Sequence, residues 1–309
     1  MTKSMTKSLT EPRSVRLLLI GLMLGFLGLF LIAPLAVVIL QALQKGTALY
    51  LLSLRQPETL AAVRLTLGVT ALTVAANLIF GLAAAWLITR FRFPGKELLN
   101  ALIDLPLGVS PVIAGMIFVL LLGQRSPIGG FLAAHGLQII FAVPGIVLAT
   151  LFVTMPYIAR ELIPVMEAQG MEEEEAALML GASGAQIFFR ITLPNIKWGL
   201  LYGVVLSSAR AMGEFGAVSV VSGHIRGLTN TLPLHVEALY NEYQFAAAFA
   251  VASLMAGVAV ATLVGKQLLA LRATRQKNRP KDQSENQRED QSGNQSEEQR
   301  EDENEHRAA

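Results

Sequence analysis

The sequence contains no cysteine and only four histidines among its 309 residues. Without cysteine the chain forms no disulfide and has no thiolate chemistry, and the histidines do not have the spacing of metal ligands. Both Gly-Lys pairs, at 95–96 and 265–266, lack the spacing and the hydroxyl residue of a phosphate-binding loop. A nucleophile elbow is also missing. These absences argue against an enzyme and against ATP hydrolysis by this chain, and no cofactor is expected on it.

Charge is scarce as well, whereas apolar residues are abundant. Charged residues make up 16% of the chain and hydrophobic residues 53%, and the mean hydropathy is +0.50. This is more apolar surface than one soluble core buries, which is typical of an integral membrane protein. The formal net charge is only +2, and no nucleic-acid partner is expected.

Six apolar stretches are about long enough to cross a bilayer, which takes roughly 20 residues. They lie at 17–43, 60–89, 98–122, 138–159, 194–221 and 245–271. In lipid the backbone must satisfy its own hydrogen bonds, so each stretch is predicted to be a helix and the fold all-α. The first stretch is long for a cleaved signal peptide, and we expect it to be retained. Prolines inside the stretches, at 34, 106, 111, 144 and 156, predict kinks.

Basic residues indicate the orientation of the chain. One side of the expected bundle carries Lys3, Lys7, Arg13, Arg16, Arg90, Arg92, Lys96, Arg160, Arg190, Lys197, Arg272, Arg275 and Lys277. The other side has fewer, namely Lys45, Arg55, Arg64, Arg125 and Arg226. By the positive-inside rule, both termini and the segment around Glu175 are expected in the cytoplasm.

The composition divides the chain into three parts. Residues 1–16 form a cytoplasmic N-terminal segment, and residues 17–275 form the membrane domain with about six helices. From about residue 276 the chain turns to Gln, Glu, Asn, Asp, Ser and Arg. With so little apolar surface to bury, 276–309 is predicted to be a disordered cytoplasmic tail.

The polar loop at 160–194, between the fourth and fifth stretches, has the signals of two short helices. Four glutamates, 172–175, suit the N-terminus of the first helix, and Gly181 suits its end. Ser183 with Gln186 three residues later predicts a capping box for the second helix. Pro194 fits the first turn of the next span. Small residues at 176, 177 and 181 would let a partner approach closely, and Leu178, Leu180, Phe188 and Phe189 are predicted either to enter a partner's pockets or to hold the segment on the bundle.

The spacing of these residues resembles a known signature. Glu175-Ala176-Ala177, then Gly181, then Ile191, Leu193 and Pro194 match the EAA motif of bacterial ABC importer permeases position for position. Further segments, at 89–95, 160–166, 210–223, 225–227 and 232–234, resemble the oxyanion branch of that family, and most closely the W-type permease subunits of sulfate/thiosulfate importers. The resemblance covers about residues 17–271.

The resemblance implies a six-helix type I importer subunit, multi-pass in the bacterial inner membrane and surrounded by lipid. Its implied partners are a second, homologous permease subunit, two copies of an ABC ATPase that uses ATP and Mg, and a periplasmic sulfate/thiosulfate-binding protein. The helix from Glu175 to Gly181 would be the coupling helix that docks in a groove of the ATPase, and transport would proceed by alternating access.

The fifth stretch contains two ionisable residues deep within an apolar segment. Arg210 and Glu214 are four residues apart, so they can pair on one helix face together with Gly203 and Ser207. One reading is a buried ion pair that stabilises the bundle, and the other is a lining of the anion pathway. Gly199 and Gly203 form a GxxxG pattern that permits close helix packing.

Other charged residues have less specific interpretations. Asp104, Arg160 and Glu161 are expected at the interface or in contacts of the coupling loop. The opposite loop contains His224, Arg226 and His235, predicted either to be solvated or to dock a binding protein. Two alternative functions stay open at this point: a molybdate or tungstate ABC permease, and an ion-coupled secondary anion transporter.

Overall fold

The structure, a computed structural model, describes residues 13–277, and within this range it consists of helices and turns without a strand. The helices are α1 (Arg13–Leu27), α2 (Ala33–Leu43), α3 (Thr47–Arg55), α4 (Pro57–Arg90), α5 (Lys96–Gly108), α6 (Pro111–Leu122), α7 (Pro127–Ala134), α8 (Val143–Gln169), α9 (Glu172–Met179), α10 (Gly184–Ile187), α11 (Leu193–Met212), α12 (Gly216–Val221), α13 (Leu232–Asn241) and α14 (Phe245–Lys277). The predicted all-α class is confirmed. Of the expected terminal segments, 1–12 and 278–309 lie outside the described residues.

Among the described residues, four segments are long and apolar enough to cross a membrane: Ser14–Leu43, Pro57–Arg90, Val143–Gln169 and Phe245–Gly265. The expected third span is not one helix, because α5 and α6 are bent by 105° at a short break. The expected fifth span is interrupted as well, since α11 ends at Met212 and α12 begins at Gly216. The third and fifth of the expected helical stretches are therefore each divided between two helices.

Two of the five prolines expected to kink helices begin them instead. Pro111 and Pro144 lie in the first turns of α6 and α8, where the missing N–H costs no hydrogen bond. Pro106 lies inside α5, and Pro156 lies inside α8. Pro34 lies within the continuous helix Ser14–Leu43, just after the π-helical turn, Gly28–Ile32, that joins α1 to α2.

The centre of the bundle is the contact between α4 and α8. Thr89 contacts Met166 and Asn77 contacts Thr154, each pair 77 residues apart. The equal separation shows that the two helices run in the same direction in register. One turn from Asn77, the backbone of Gly81 lies so close to Ile158 that an added Cβ would be 2.8 Å from the Ile158 Cβ atom.

Helix α11 packs on the same stretch of α8 through its own glycines. A Cβ on Gly199 would lie 3.1 Å from Val165, and one on Gly203 would lie 3.4 Å from the Cα atom of Ile158. The close contact predicted from GxxxG is confirmed. Buried alanine, isoleucine and leucine side chains of α4, α5, α8 and α11 fill the space around these contacts.

A small polar layer crosses this apolar core. Asn77 donates a 2.7 Å hydrogen bond to the Thr154 hydroxyl, which itself donates to the Thr150 carbonyl. Ser207 of α11 is fully buried. The Asn77–Thr154 contact adds a directional bond between α4 and α8, where apolar packing alone specifies register weakly.

The chain divides into two compact units, residues 1–266 and 267–309. All the contacts described here belong to the first unit. The α1–α2 segment is apolar, and its most apolar 18-residue window buries none of its residues. Such a surface suits contact with lipid.

The close contact at Gly81 generates a stability prediction. Gly81→Ala is expected to destabilise the fold by about 1–3 kcal/mol, because Ile158 and the α8 backbone must move to admit a methyl group. Gly68→Ala is the matched control on the same helix, since nothing lies within 4 Å of its Cβ position. Thermal unfolding of the purified protein in detergent measures both, and equal midpoints would contradict the packing described.

Candidate functional site

The first candidate site is the segment that joins α8 to α11. Its helix α9 begins with Glu172, Glu173, Glu174 and Glu175 in the first turn, where the helix dipole favours negative charge. Gly181 ends the helix with φ 84°. The amide of Gly181 donates to the Leu178 carbonyl and that of Ala182 to the Ala177 carbonyl, both at 3.0 Å. This is the Schellman arrangement that only a glycine adopts without strain.

The second short helix, α10, begins with the predicted capping box. The Ser183 amide donates to the Gln186 side chain at 2.8 Å, and the Gln186 amide donates back to the Ser183 hydroxyl. A π-helical turn, Phe188–Thr192, leads into α11, and Pro194 lies in the first turn of α11. The predicted end of the first helix at Gly181 and the predicted capping box at Ser183 are confirmed. The second helix continues through the π-helical turn into α11, so the start of a new helix expected at Pro194 is wrong.

Helix α9 ends in an exposed apolar surface. Met179 is 91% exposed and Leu180 is 89% exposed, and Leu178 beside them is also exposed. We call these three residues the apolar tip. Glu175 and Ala176 are exposed next to it, and Ala177 is half-buried. An apolar tip beside small residues is suited to a protein partner. Apolar side chains exposed to water are stabilised when a partner buries them, and the small residues let that partner come close.

The aromatic residues after α10 behave differently from one another. Phe188 is half-buried and its ring centroid lies 5.2 Å from that of Trp86 on α4. Phe189 is exposed. The sequence predicted that Leu178, Leu180, Phe188 and Phe189 either enter a partner's pockets or hold the segment on the bundle. Phe188 contacts the bundle, and the other three residues are exposed.

A buried ion pair holds α9 on the bundle, and sequence reasoning missed it. Glu174 lies 2.8 Å from Arg90 Nε through one oxygen, and its other oxygen accepts from Arg90 Nη2 at 3.1 Å. The same carboxylate accepts a 2.7 Å hydrogen bond from the Thr192 hydroxyl. Arg90 also donates to the Met166 carbonyl at 3.1 Å. In the sequence, nothing distinguishes Glu174 from its three neighbouring glutamates, and Arg90 counted only as one of many basic residues.

The second candidate site is the interruption between α11 and α12. Arg210 Nη1 lies 2.6 Å from Glu214 Oε2. The other oxygen of Glu214 accepts from the Ala217 amide at 3.0 Å, so that this carboxylate caps α12. Glu214 is almost fully buried, whereas the Arg210 side chain is 30% exposed. The pairing expected from the four-residue spacing is present.

The two interrupted spans meet at this point. A Cβ on Gly216 would lie 3.0 Å from the Pro111 side chain, and one on Gly115 would lie 2.7 Å from the Ala217 carbonyl. The first turns of α6 and α12 therefore touch through glycines. Ser207 lies one turn before Arg210, is fully buried, and its hydroxyl has no hydrogen-bond partner among the described residues.

Two further charge clusters lie at opposite ends of the bundle. Arg160 of α8 forms a two-pronged ion pair with Asp104 of α5 and donates to the Asn100 carbonyl at 3.1 Å. Both charged side chains are partly exposed. At the other end, Arg226 pairs with Glu58 and Glu242.

His235 of α13 is buried beside the ion pairs of Arg226, so the prediction that it is exposed to solvent is wrong. Its Nε2 atom lies 3.0 Å from the Thr59 hydroxyl. Burial lowers the pKa of His235 below 6.5; Glu58 opposes this shift and Arg226 adds to it. His224 is exposed, as predicted. Within residues 13–277, no group of three His, Asp or Glu side chains is arranged to hold a metal ion.

Comparison with known proteins places the chain in context. The model of the family described as "Binding-protein-dependent transport system inner membrane component" matches residues 77–274. The sulfate transport system permease protein CysW of Escherichia coli K12 is 49% identical over 265 residues, 86% of this chain and 91% of that protein. The sulfate transport system permease protein CysT of Salmonella typhimurium is 35% identical, over 83% of this chain and 93% of that protein.

A solved structure has the same fold. It is a bacterial alginate ABC transporter in complex with an alginate pentasaccharide-bound periplasmic protein, and the match has a TM-score of 0.70 at 17% sequence identity. The match covers 84% of this chain and 94% of the other. At this identity the likeness concerns the fold alone.

The buried histidine generates a pH prediction. Because the pKa of His235 is lower in the folded state, the unfolded chain binds a proton first as the pH falls below 6.5. The free energy of unfolding therefore decreases as the pH falls from 6.5 towards the folded-state pKa of His235. Above pH 6.5 it does not depend on His235. His235→Gln is expected to flatten this part of the profile, whereas His224→Gln leaves it unchanged. Thermal unfolding between pH 8 and 5 measures both, and equal slopes in the two variants would contradict the assignment.

Proposed function

The chain belongs to the family of binding-protein-dependent transport system inner membrane components, and we propose that it is the permease subunit of an ATP-driven sulfate importer. The sulfate assignment rests on the 49% identity with the Escherichia coli CysW permease across 86% of the chain. As a member of this family the chain is a multi-pass transport component of the inner membrane. ATP and Mg are used by a partner ATPase.

One observation carries the mechanism, namely the exposed end of α9. A helix that points apolar side chains away from its own bundle needs a partner to cover them. We propose that the apolar tip, with Glu175, Ala176, Ala177 and Gly181, enters a groove of the ABC ATPase. Ile191, Leu193 and Pro194 then set the direction in which the segment joins α11. They belong to the coupling segment at 160–194, within a membrane domain at 17–275.

The complete importer requires further proteins. CysT-type relatives at 35% identity support a second, homologous permease subunit beside this one. We propose two ATPase copies, one under each permease subunit, and a periplasmic binding protein that delivers sulfate. Thiosulfate, being a divalent oxyanion of similar shape, is proposed as a second substrate. Lipid surrounds the outer helices.

The orientation proposed from the basic residues puts α9 and both chain termini in the cytoplasm. The polar tail at 276–309 would then lie in the cytoplasm, as would the segment at 1–16. His235 and the Arg226 cluster would face the periplasm. This arrangement agrees with an ATPase that reaches α9 from the cytosol.

In the proposed cycle, ATP binding closes the two ATPase copies and moves α9. The two permease subunits then change from inward-open to outward-open and accept sulfate from the binding protein. Hydrolysis returns them to the inward-open state, where sulfate is released. The energy source is thus the ATPase and not this chain. The chain responds to the movement of α9 by opening the pathway to one side of the membrane or the other.

For the pair of Arg210 and Glu214 we propose a primarily structural role beside the pathway. The Glu214 carboxylate already neutralises the guanidinium and caps α12, so Arg210 is not a free cation for a tightly held anion. Its 30% exposure leaves one side of the guanidinium open to water near the junction of the broken spans. With Ser207 it would shape the wall of the pathway without binding sulfate strongly.

The alternatives have no support among the relatives described above. Both of those sequence relatives are named as sulfate permeases, which favours sulfate over molybdate or tungstate. Membership in a binding-protein-dependent family argues against an ion-coupled secondary transporter.

The function is tested by reconstituting the chain with its partners. With the second permease subunit, the ATPase and a sulfate-binding protein, sulfate is expected to accumulate in proteoliposomes only when ATP is supplied. Gly181→Trp is expected to abolish co-purification of the ATPase and uptake, because a bulky residue at φ 84° distorts α9. Gly136→Trp is the matched control, since Gly136 also has a positive φ and open space around it but precedes α8 at the other end of the bundle. Accumulation by the chain alone under an ion gradient would contradict the proposal.

The role of Arg210 is tested by comparing two neutral variants. Arg210→Met leaves a buried carboxylate unpaired, whereas Glu214→Gln leaves a partly hydrated guanidinium. Arg210→Met is therefore expected to lower stability by more, with a difference of about 1–2 kcal/mol. Thermal unfolding and sulfate uptake are measured together on both. Loss of uptake in Arg210→Met at unchanged stability would instead make Arg210 a direct contact of the anion.

A further inference from the structure

Helix α9 is attached to the bundle in an unusual way. Among its eight residues, Glu174 is the buried one, and no apolar residue of the helix is fully buried. Surface helices are normally held by an apolar stripe. Here the buried Glu174 takes that place, and the exposed Glu173 beside it accepts a 2.6 Å hydrogen bond from Asn195 of α11.

The contacts of Glu174 reach several helices at once. We call Arg90, Glu174 and Thr192 the α9 clamp. Arg90 is the last residue of α4 and also donates to the Met166 carbonyl of α8, and Thr192 immediately precedes α11. The clamp therefore joins α9 to the ends of the three helices that form the centre of the bundle.

The clamp is suited to transmit movement. The side chains of Arg90 and Glu174 are only 5% and 11% exposed, so water screens their attraction little. One charge-assisted hydrogen bond, from Arg90 Nη2, and the 2.8 Å ionic contact of Arg90 Nε engage the two oxygens of the Glu174 carboxylate. Helix dipoles add to this, because the arginine ends α4 and the glutamate lies in the first turn of α9.

The main chain on either side of α9 offers a weaker connection. Gly170 and Gly181 flank the helix, both with positive φ, and nothing lies within 4 Å of either Cβ position. Glycine backbone with open space around it turns easily. The contact between Phe188 and Trp86 holds the far side of the segment, after α10.

We infer that the α9 clamp is the joint through which displacement of α9 reaches the membrane helices. Arg90, Glu174 and Thr192 are positioning residues in this role and do not contact the substrate. The inference rests on the proposed function, in which the ATPase moves α9. It adds that sulfate uptake per ATP hydrolysed depends on this buried ion pair.

The test uses the assembled transporter in proteoliposomes, with sulfate uptake and ATP hydrolysis measured in the same vesicles. Glu174→Gln and Arg90→Gln are expected to lower the ratio of sulfate transported to ATP hydrolysed at least fivefold while the ATPase stays bound. Thr192→Val, which removes one hydrogen bond, is expected to lower the ratio less. The reciprocal variant Arg90→Glu with Glu174→Arg restores the opposite charges and is expected to recover part of the ratio.

Glu172→Gln serves as the matched control, because Glu172 lies in the same first turn but is exposed. Its ratio is expected to equal that of the unmodified transporter. This comparison separates the clamp from a general effect of negative charge at the start of α9.

A distance measurement supplies a second readout. Since the chain has no cysteine, spin labels at Glu172→Cys and Leu72→Cys report only the separation of α9 and α4. Leu72 is exposed and lies about 27 Å along the α4 axis from Arg90. With an intact clamp, the distribution of distances between the two labels is expected to be narrow with and without ATP. Glu174→Gln is expected to broaden this distribution.

The outcomes separate this inference from the proposed function. An unchanged transport ratio in all clamp variants, with Gly181→Trp still losing the ATPase, would overturn the clamp and leave the function standing. Loss of the ATPase from Glu174→Gln without recovery in the charge-reversed variant would also overturn it, since the pair would then only fold the segment. Failure of the unmodified chain to bind an ATPase would overturn the function itself.

Discussion

The register between α4 and α8 is the constraint on which the other contacts depend. The close approach at Gly81 and Ile158 lets the two helices run side by side, and the bond between Asn77 and Thr154 fixes their alignment. Because the helices are aligned, Arg90 arrives beside the Met166 carbonyl at their common end. The position of Arg90, and with it the position at which Glu174 of α9 is bound, thus depends on the contacts between α4 and α8 several helical turns away.

The interrupted spans show how a membrane bundle accommodates polar groups. Non-helical backbone is tolerated at membrane depth only where it is buried in protein or lines an aqueous cavity. Here the two interruptions lie against each other at Pro111 and Gly216, and the Glu214 carboxylate satisfies an amide at the start of α12. Such a junction is costly to maintain, and it lies beside a partly exposed arginine, Arg210.

The two candidate sites use charge in the same way. In each, a buried glutamate binds an arginine and a second donor, which is the Thr192 hydroxyl in one case and the Ala217 amide in the other. Both pairs lie where one helix ends and another begins. Ion pairs at such points orient short helices that have little apolar surface to pack against the bundle. They explain how α9 and α12 are held in position.

The sequence by itself determined the membrane class, the end of α9 at Gly181, the capping box at Ser183 and the pairing of Arg210 with Glu214, since these depend on hydropathy, capping residues and helical spacing. Only the tertiary structure decided that two spans are broken, that Pro111 and Pro144 begin helices instead of bending them, and that Glu174 is the glutamate held by Arg90. The reason is physical: local rules act over one or two turns, whereas the partner of a buried charge 84 residues away is selected by how helices pack.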